Sequence, residues 1–204
     1  MIEKPIRLFG AKLFKYETDI DNTSIKDFCF KLKQKDPGRT VSNYGGWQSN
    51  FVSPRTPELE QLTNFIQGIY PDIFNEHLLS KNARLTIDSY WVNINYKHNF
   101  NYSHSHHGFI SGVYYVDVPE NSGKIVFESS ETDNFFDNLP SDTWTGLTPY
   151  TSTIWRVTPF NGMLLLFPSW LKHRVEPNES EESRTSIAFN IHLKNIKNSV
   201  ALSQ

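Results

Sequence analysis

The sequence predicts a mainly β protein, a sandwich or jelly-roll barrel with helices packed on its outside, and three observations carry that expectation. From Arg84 onward, short runs rich in β-branched and aromatic residues are divided by turn chemistry such as "PENSG", "TPFNG" and "PNESEES". Aromatic residues make up 14% of the 204-residue chain, with five tryptophans, a composition that favours strands and rigid pocket walls. Segments with helical periodicity precede this region, so strands and helices do not alternate as in βαβ units.

Taken in order, "IRLFGAKLFKYETD" reads as a strand pair or strand and turn. "DNTSIKDFCFKLKQKD" reads as a helix: Asn22, Thr23 and Ser24 are N-cap candidates, and Ile25, Phe28, Cys29 and Leu32 share one face. "PGRTVSNYGGWQSNFVSPRTP" is dense in turn residues and reads as an irregular loop. A second helix opens at Thr56 and Pro57 with acids in its first turn, and Leu59, Leu62, Phe65, Ile66 and Ile69 form its apolar face. The strands expected next are "LTIDSYWVNINY", "GFISGVYYVDV", "GKIVFES", "STIWRVTP", "GMLLLFP", "HRVEP" and "RTSIAFNIHL". Residues 129–150, polar with scattered aromatics, read as a long loop over one end of the barrel. One domain over 1–204 is expected, with supporting elements in 1–80 and the barrel in 84–195.

A net charge of -2 gives no basic field, which disfavours nucleic acid and anionic lipid as partners. Charges and a proline interrupt every apolar run of the N-terminus, and no stretch approaches the roughly 20 apolar residues of a membrane helix. A soluble, cytoplasmic protein is expected. The single cysteine, Cys29, reads as a buried small hydrophobe.

"NYSHSHHGFISGVYYV" places three of the seven histidines within four positions. On a strand, the i, i+2 spacing of His104 and His106 points both rings to one face and His107 to the other. His173, following the apolar "MLLLF" run, is the distal ligand candidate. Arg184 heads a strand expected to be buried on both sides, where an unpaired cation costs several kcal/mol, so it needs an anionic partner. Ser186 shares its face. The competing readings are a solvated "HSHH" turn, a surface ion pair of Arg184 with Glu181 or Glu182, and simple packing for Tyr115. His98 and His192 read as residues without a role. Trp47, Trp91, Trp155 and Trp170 read as core, and Trp144 in the long loop as a candidate substrate contact.

The pieces "HSHHGFISGVYYV", "GMLLLFPSWLKHRV" and "RTSIAFN" resemble the iron(II)- and 2-oxoglutarate-dependent dioxygenase superfamily, most closely a bacterial and phage oxygenase group with prolyl-hydroxylase-like features. The resemblance covers roughly residues 90 to 193, and "GGWQSN" at 45 to 50 shares its flavour. It implies a double-stranded β-helix of cupin-like type, Fe(II), and hydroxylation of a substrate as 2-oxoglutarate and O2 become succinate and CO2. It further implies that His104, His106 and His173 bind the metal, that Arg184 and Ser186 anchor 2-oxoglutarate, and that Tyr115 helps hold it, with Asn93 on the pocket wall. The same likeness implies a bacterial or phage-encoded origin and O2 as co-substrate; with no basic patch to single out nucleic acid, a small-molecule or peptidyl substrate is expected, and a homodimer is left open. The departure is His106, where most members carry Asp or Glu. An all-nitrogen site accepts zinc, copper or nickel as well as iron. Two alternatives therefore stay open: a cupin-like three-histidine metalloenzyme without 2-oxoglutarate, and a non-catalytic jelly-roll interaction module. The loops at 129–150 and around Gly45 and Gly46 would shape the substrate mouth.

Overall fold

The computed structural model describes residues 10–129, 145–146, 148–149 and 151–195. Within them the chain folds into two antiparallel sheets built from short strands, as the turn-divided runs predict. The larger sheet contains β1 (Phe14–Glu17), β3 (Trp47–Gln48), β4 (Ala83–Asn95), β6 (Ile110–Asp117), β9 (Met163–Pro168) and β11 (Arg184–Asn195), in the order β1-β9-β6-β11-β4-β3. The smaller contains β2 (Asn43–Tyr44), β5 (Phe100–His104), β7 (Ile125–Glu128), β8 (Ile154–Val157) and β10 (His173–Val175), in the order β2-β5-β10-β7-β8. Consecutive strands repeatedly cross from one sheet to the other, which is the winding of a double-stranded β-helix.

Side-chain alternation divides the larger sheet into two faces. Val92 and Ile94 on β4, Tyr114 and Val116 on β6, Leu164 and Leu166 on β9, and Ile187, Phe189 and Ile191 on β11 belong to one buried cluster. The helices cover this outer face: α1 (Asn22–Lys33) contributes Ile25 and Cys29, α2 (Glu60–Gly68) contributes Leu62 and Ile66, and α3 (Tyr70–Glu76) contributes Ile73. Polar ties fix the docking. The Tyr114 hydroxyl donates to Asn22 Oδ1 at 2.7 Å, and the Tyr90 and Thr63 hydroxyls meet at 2.9 Å. Gly112 is required on β6, because a Cβ there would lie 2.3 Å from the ring of Phe189. The inner face carries a smaller cluster, with Tyr115, Met163, Leu165 and Phe167 meeting Ile125 and Phe127 of the smaller sheet.

Several local expectations are corrected. The N-cap of α1 is Asp21, whose carboxylate accepts the Thr23 N–H at 3.0 Å, one residue earlier than the candidates. The second helical span breaks into a 3-10 turn (Pro57–Leu59), α2 and α3, because Gly68 and the Tyr70-Pro71 step interrupt the ladder. The first strand is the single β1, and residues 1–9 lie outside the described residues. Trp155 and Trp170 are exposed rather than core. The long-loop expectation falls largely on residues 130–144, 147 and 150, outside the described residues, as does Trp144. Cys29 is fully buried, and burial pushes its thiol up to about 12. Among the described residues no helix is long and apolar enough to cross a membrane.

Candidate active site

Strand register brings two of the histidines together. His173, the first residue of β10, sits opposite His104 at the end of β5 and opposite Phe127 on β7. His106 is not on the strand as the i, i+2 spacing suggested, since β5 ends at His104. A backbone bond fixes it instead: its N–H donates to the Ser169 carbonyl at 2.8 Å, and the Ser169 hydroxyl is held by Ser111 at 2.9 Å. The three rings converge, with centroids 4.4 Å apart for His104 and His173, 4.9 Å for His104 and His106, and 5.1 Å for His106 and His173. One ligand nitrogen from each lies within 4.8 Å of the others.

Backbone carbonyls set two of the tautomers. His104 Nδ1 lies 2.7 Å from the Tyr102 carbonyl and His173 Nδ1 lies 3.0 Å from that of Leu171. A carbonyl only accepts, so each Nδ1 carries the proton and each Nε2 keeps its lone pair for a metal. Burial, then the neighbouring rings, pushes the His106 imidazole down to about 3. Burial and His104 push His173 down to about 4, and burial also lowers His104. All three are therefore neutral near pH 7, the form that ligates metal.

The same cavity, about 550 Å³, extends along the inner face of the larger sheet to Arg184. Arg184 is 3% exposed, and its Nη1 donates to the carbonyls of Ser122 at 2.6 Å and Gly123 at 3.3 Å. Gly123 supplies that carbonyl from a left-handed conformation at φ +84°, where a Cβ would fall 2.4 Å from the Glu176 oxygen. The surface pairing considered for Arg184 does not occur, and Glu181 pairs with Lys97. None of the described residues lining the cavity is Asp or Glu, so the buried guanidinium has no carboxylate there. Ser186 sits opposite Tyr115 on β6 and Asn93 on β4, and all three line the cavity beside Arg184. Burial pushes the Tyr115 hydroxyl up to about 12, so it is a neutral donor at any working pH.

Several lining residues escaped the sequence reading. Trp91 lies against His106, ring centroids 5.6 Å apart, and Phe51 lies edge-on to Trp91 at 6.3 Å. Asn95, Asn101 and Asn190 line the cavity, and the Asn190 side chain accepts from Ser111 at 2.8 Å. The inward parity of Trp91, Asn93 and Asn95 on one strand was the available signal. Gly45 and Gly46 do not line the cavity. They turn against Asn99, while the flanking Ser42 and Gln48 reach it. His98, exposed, pairs with Glu179 at 3.3 Å, and the half-buried His192 stands 4.0 Å from Asp88; neither lines the cavity.

Residues 89–190 match the model of the family described as "Putative 2OG-Fe(II) oxygenase". No curated protein matches the chain in sequence. Among solved structures, a Pseudomonas putida prolyl-4-hydroxylase is similar with a TM-score of 0.60 at 13% identity, over 87% of this chain and 91% of that one. The viral collagen prolyl hydroxylase of Paramecium bursaria Chlorella virus-1, in complex with 2OG, aligns with a TM-score of 0.55 at 13% identity, over 88% and 94%. HygX of Streptomyces hygroscopicus, with nickel and 2-oxoglutarate bound, aligns with a TM-score of 0.60 at 13% identity, over 89% and 83%. At such identities these likenesses establish the fold.

Proposed function

Given that the chain belongs to the 2OG-Fe(II) oxygenase family, an oxidoreductase family that uses Fe(II) and 2-oxoglutarate, we propose that it hydroxylates a small-molecule or peptidyl substrate at the three-histidine end of the cavity. In this reading His104, His106 and His173 hold the iron. Arg184 and Ser186 hold the distal carboxylate of 2-oxoglutarate, with Tyr115 and Asn93 beside them. The observation that carries it is the buried, carboxylate-free Arg184 in the same cavity as three convergent neutral imidazoles.

The residues fit both groups. Arg184 has given up hydration for two carbonyls, which leaves most of the cost of burying its charge standing until an anion arrives. A carboxylate meets the guanidinium in bidentate geometry. The Tyr115 hydroxyl stays protonated and donates, and a serine hydroxyl two residues from Arg184 on the same face adds a second donor. At the other end, the carbonyls of Tyr102 and Leu171 hold two imidazoles in the ligating tautomer before any metal arrives. When bound, iron and 2-oxoglutarate supply the oxidising chemistry, in which decarboxylation to succinate and CO2 is coupled to insertion of oxygen into a C–H bond. The protein's part is to orient the co-substrate, keep its ligands neutral and shield the reacting end behind Trp91, Phe127 and Phe167.

The other two readings fit less well. A metalloenzyme without 2-oxoglutarate leaves Arg184 with no counter-charge, and a non-catalytic module does not require the rings to converge. The test is succinate formation from 2-oxoglutarate by iron-loaded protein. His173→Ala should abolish it, and retained turnover in that variant would remove the histidines from the mechanism.

A further inference from the structure

A second arginine faces the same cavity. Arg39 lies at its mouth, where its guanidinium stacks over Phe51 with Cζ 4.1 Å from the ring centroid. Its Nε is buried and has no hydrogen-bond partner among the described residues. The carboxylate that acts on it electrostatically, Asp36, is already engaged, accepting from Gly38 N–H, Asn50 N–H and Asn50 Nδ2, each at 2.8 Å. The same bonds hold the loop. The Trp47 indole donates to the Asp36 carbonyl at 3.0 Å, and Arg39 N–H donates to the Gln48 carbonyl at 2.8 Å. The cation is therefore presented from a fixed backbone rather than from a solvated tail. From it, Phe51 and then Trp91 form a continuous aromatic wall to His106. Phe51 is 64% exposed, an uncovered apolar surface at a cavity mouth that carries no described acid.

We propose that Arg39 is the anion-binding half of the prime-substrate site: the substrate carries a carboxylate or phosphate held by this guanidinium, and an apolar segment that lies along Phe51 and Trp91 toward His106. This rests on the oxygenase reading above, in which Arg184 is committed to 2-oxoglutarate. Two arginines on one cavity whose described lining holds no acid then serve two different anions. Among the described residues the Arg39 guanidinium forms no ion pair with a carboxylate, and its outer N–H groups offer the planar pattern that carboxylates and phosphates match. An aromatic wall leading to the metal would carry the carbon to be oxidised.

The test uses the full chain loaded with Ni(II), which fills the site without turnover, and saturated with 2-oxoglutarate. The probes are 3-phenylpropionate, phenyl phosphate and the neutral 3-phenylpropan-1-ol, followed by calorimetry and ligand-observed NMR. At least one anion should bind about tenfold or more tighter than the alcohol, the loss expected when a charge-assisted contact is missing. Arg39→Gln should erase that preference while keeping the melting temperature and 2-oxoglutarate affinity of the parent, and the tighter anion identifies the group. Three results would overturn the proposal: anion binding unchanged in Arg39→Gln, an alcohol bound as tightly as the anions, or anions that bind only when 2-oxoglutarate is left out. The parent reading fails separately, if 2-oxoglutarate does not bind or binds Arg184→Met as well as wild type. The Arg39 preference is then scored in the same titration without 2-oxoglutarate.

Discussion

On β11, Ile187, Phe189 and Ile191 face the helices and are fully buried in the larger apolar cluster, whereas Arg184, Ser186 and Asn190, one residue out of step, line the cavity. β4 repeats the division, with Val92 and Ile94 outward and Trp91, Asn93 and Asn95 inward. β6 places Tyr114 and Val116 outward and Tyr115 inward. One sheet thus has a face that holds the fold together and a face that gives up stability to keep polar groups and a cation without a carboxylate partner in the cavity. A single-residue change of parity separates the two, so neighbouring substitutions should have opposite consequences.

The largest contrast on stability is expected at Phe189. Phe189→Ala opens a cavity beside Gly112 and Tyr90, and should cost about 3–5 kcal/mol in chemical denaturation of the metal-free protein. On the other face, Arg184→Met should leave the metal-free protein at least as stable as wild type, since it removes a buried charge with no carboxylate partner. The same variant should lose the upward shift in melting temperature that 2-oxoglutarate gives the wild type. A strongly destabilised Arg184→Met would show that the guanidinium is structural, and the division of labour would fail.

An acid titration sharpens the comparison. His106 and His173 are held neutral in the fold with values pushed down to about 3 and about 4, while an unfolded histidine titrates near 6.5. The unfolded chain therefore binds more protons as the pH falls below about 6.5. Metal-free protein should lose stability from there down toward pH 3–4, where the folded imidazoles protonate. A His106→Asn, His173→Asn double variant should show a shallower loss over this window, and an outer-face Ile187→Val variant an unchanged one. Equal slopes in all three proteins would mean that the histidines are not held neutral. The smallest effect is expected at Tyr115. Removing its hydroxyl in Tyr115→Phe should weaken 2-oxoglutarate by roughly threefold to tenfold, one hydrogen bond's worth, with little change in melting temperature.

How much of this was readable in advance follows from the kind of signal each feature leaves. Strand order in the chain and the outer helices were legible, because period-2 and period-3.6 patterns survive in "GFISGVYYVDV" and "DNTSIKDFCFKLKQKD". The break at Gly68 and Tyr70-Pro71 was present in the sequence and outweighed by the apolar pattern around it. His104, His173, Arg184, Ser186, Tyr115 and Asn93 were singled out by motif and face, and the structure places all of them on one cavity. His106 was singled out for the wrong local reason: its position depends on a long-range bond to the Ser169 carbonyl, which no spacing encodes. Arg39 and Phe51 were invisible, because they sit in an irregular loop whose course is set by Asp36, Asn50 and Trp47 rather than by periodicity.

The most direct measurement is an anaerobic titration of the metal-free protein with Fe(II) and 2-oxoglutarate, following the weak visible absorption band that arises only when the keto acid chelates the iron. The account predicts a band in the wild type that is absent in His173→Ala and is lost in Arg184→Met at the same 2-oxoglutarate concentration. Tight iron binding with no band, or a band of wild-type strength in Arg184→Met, would contradict it.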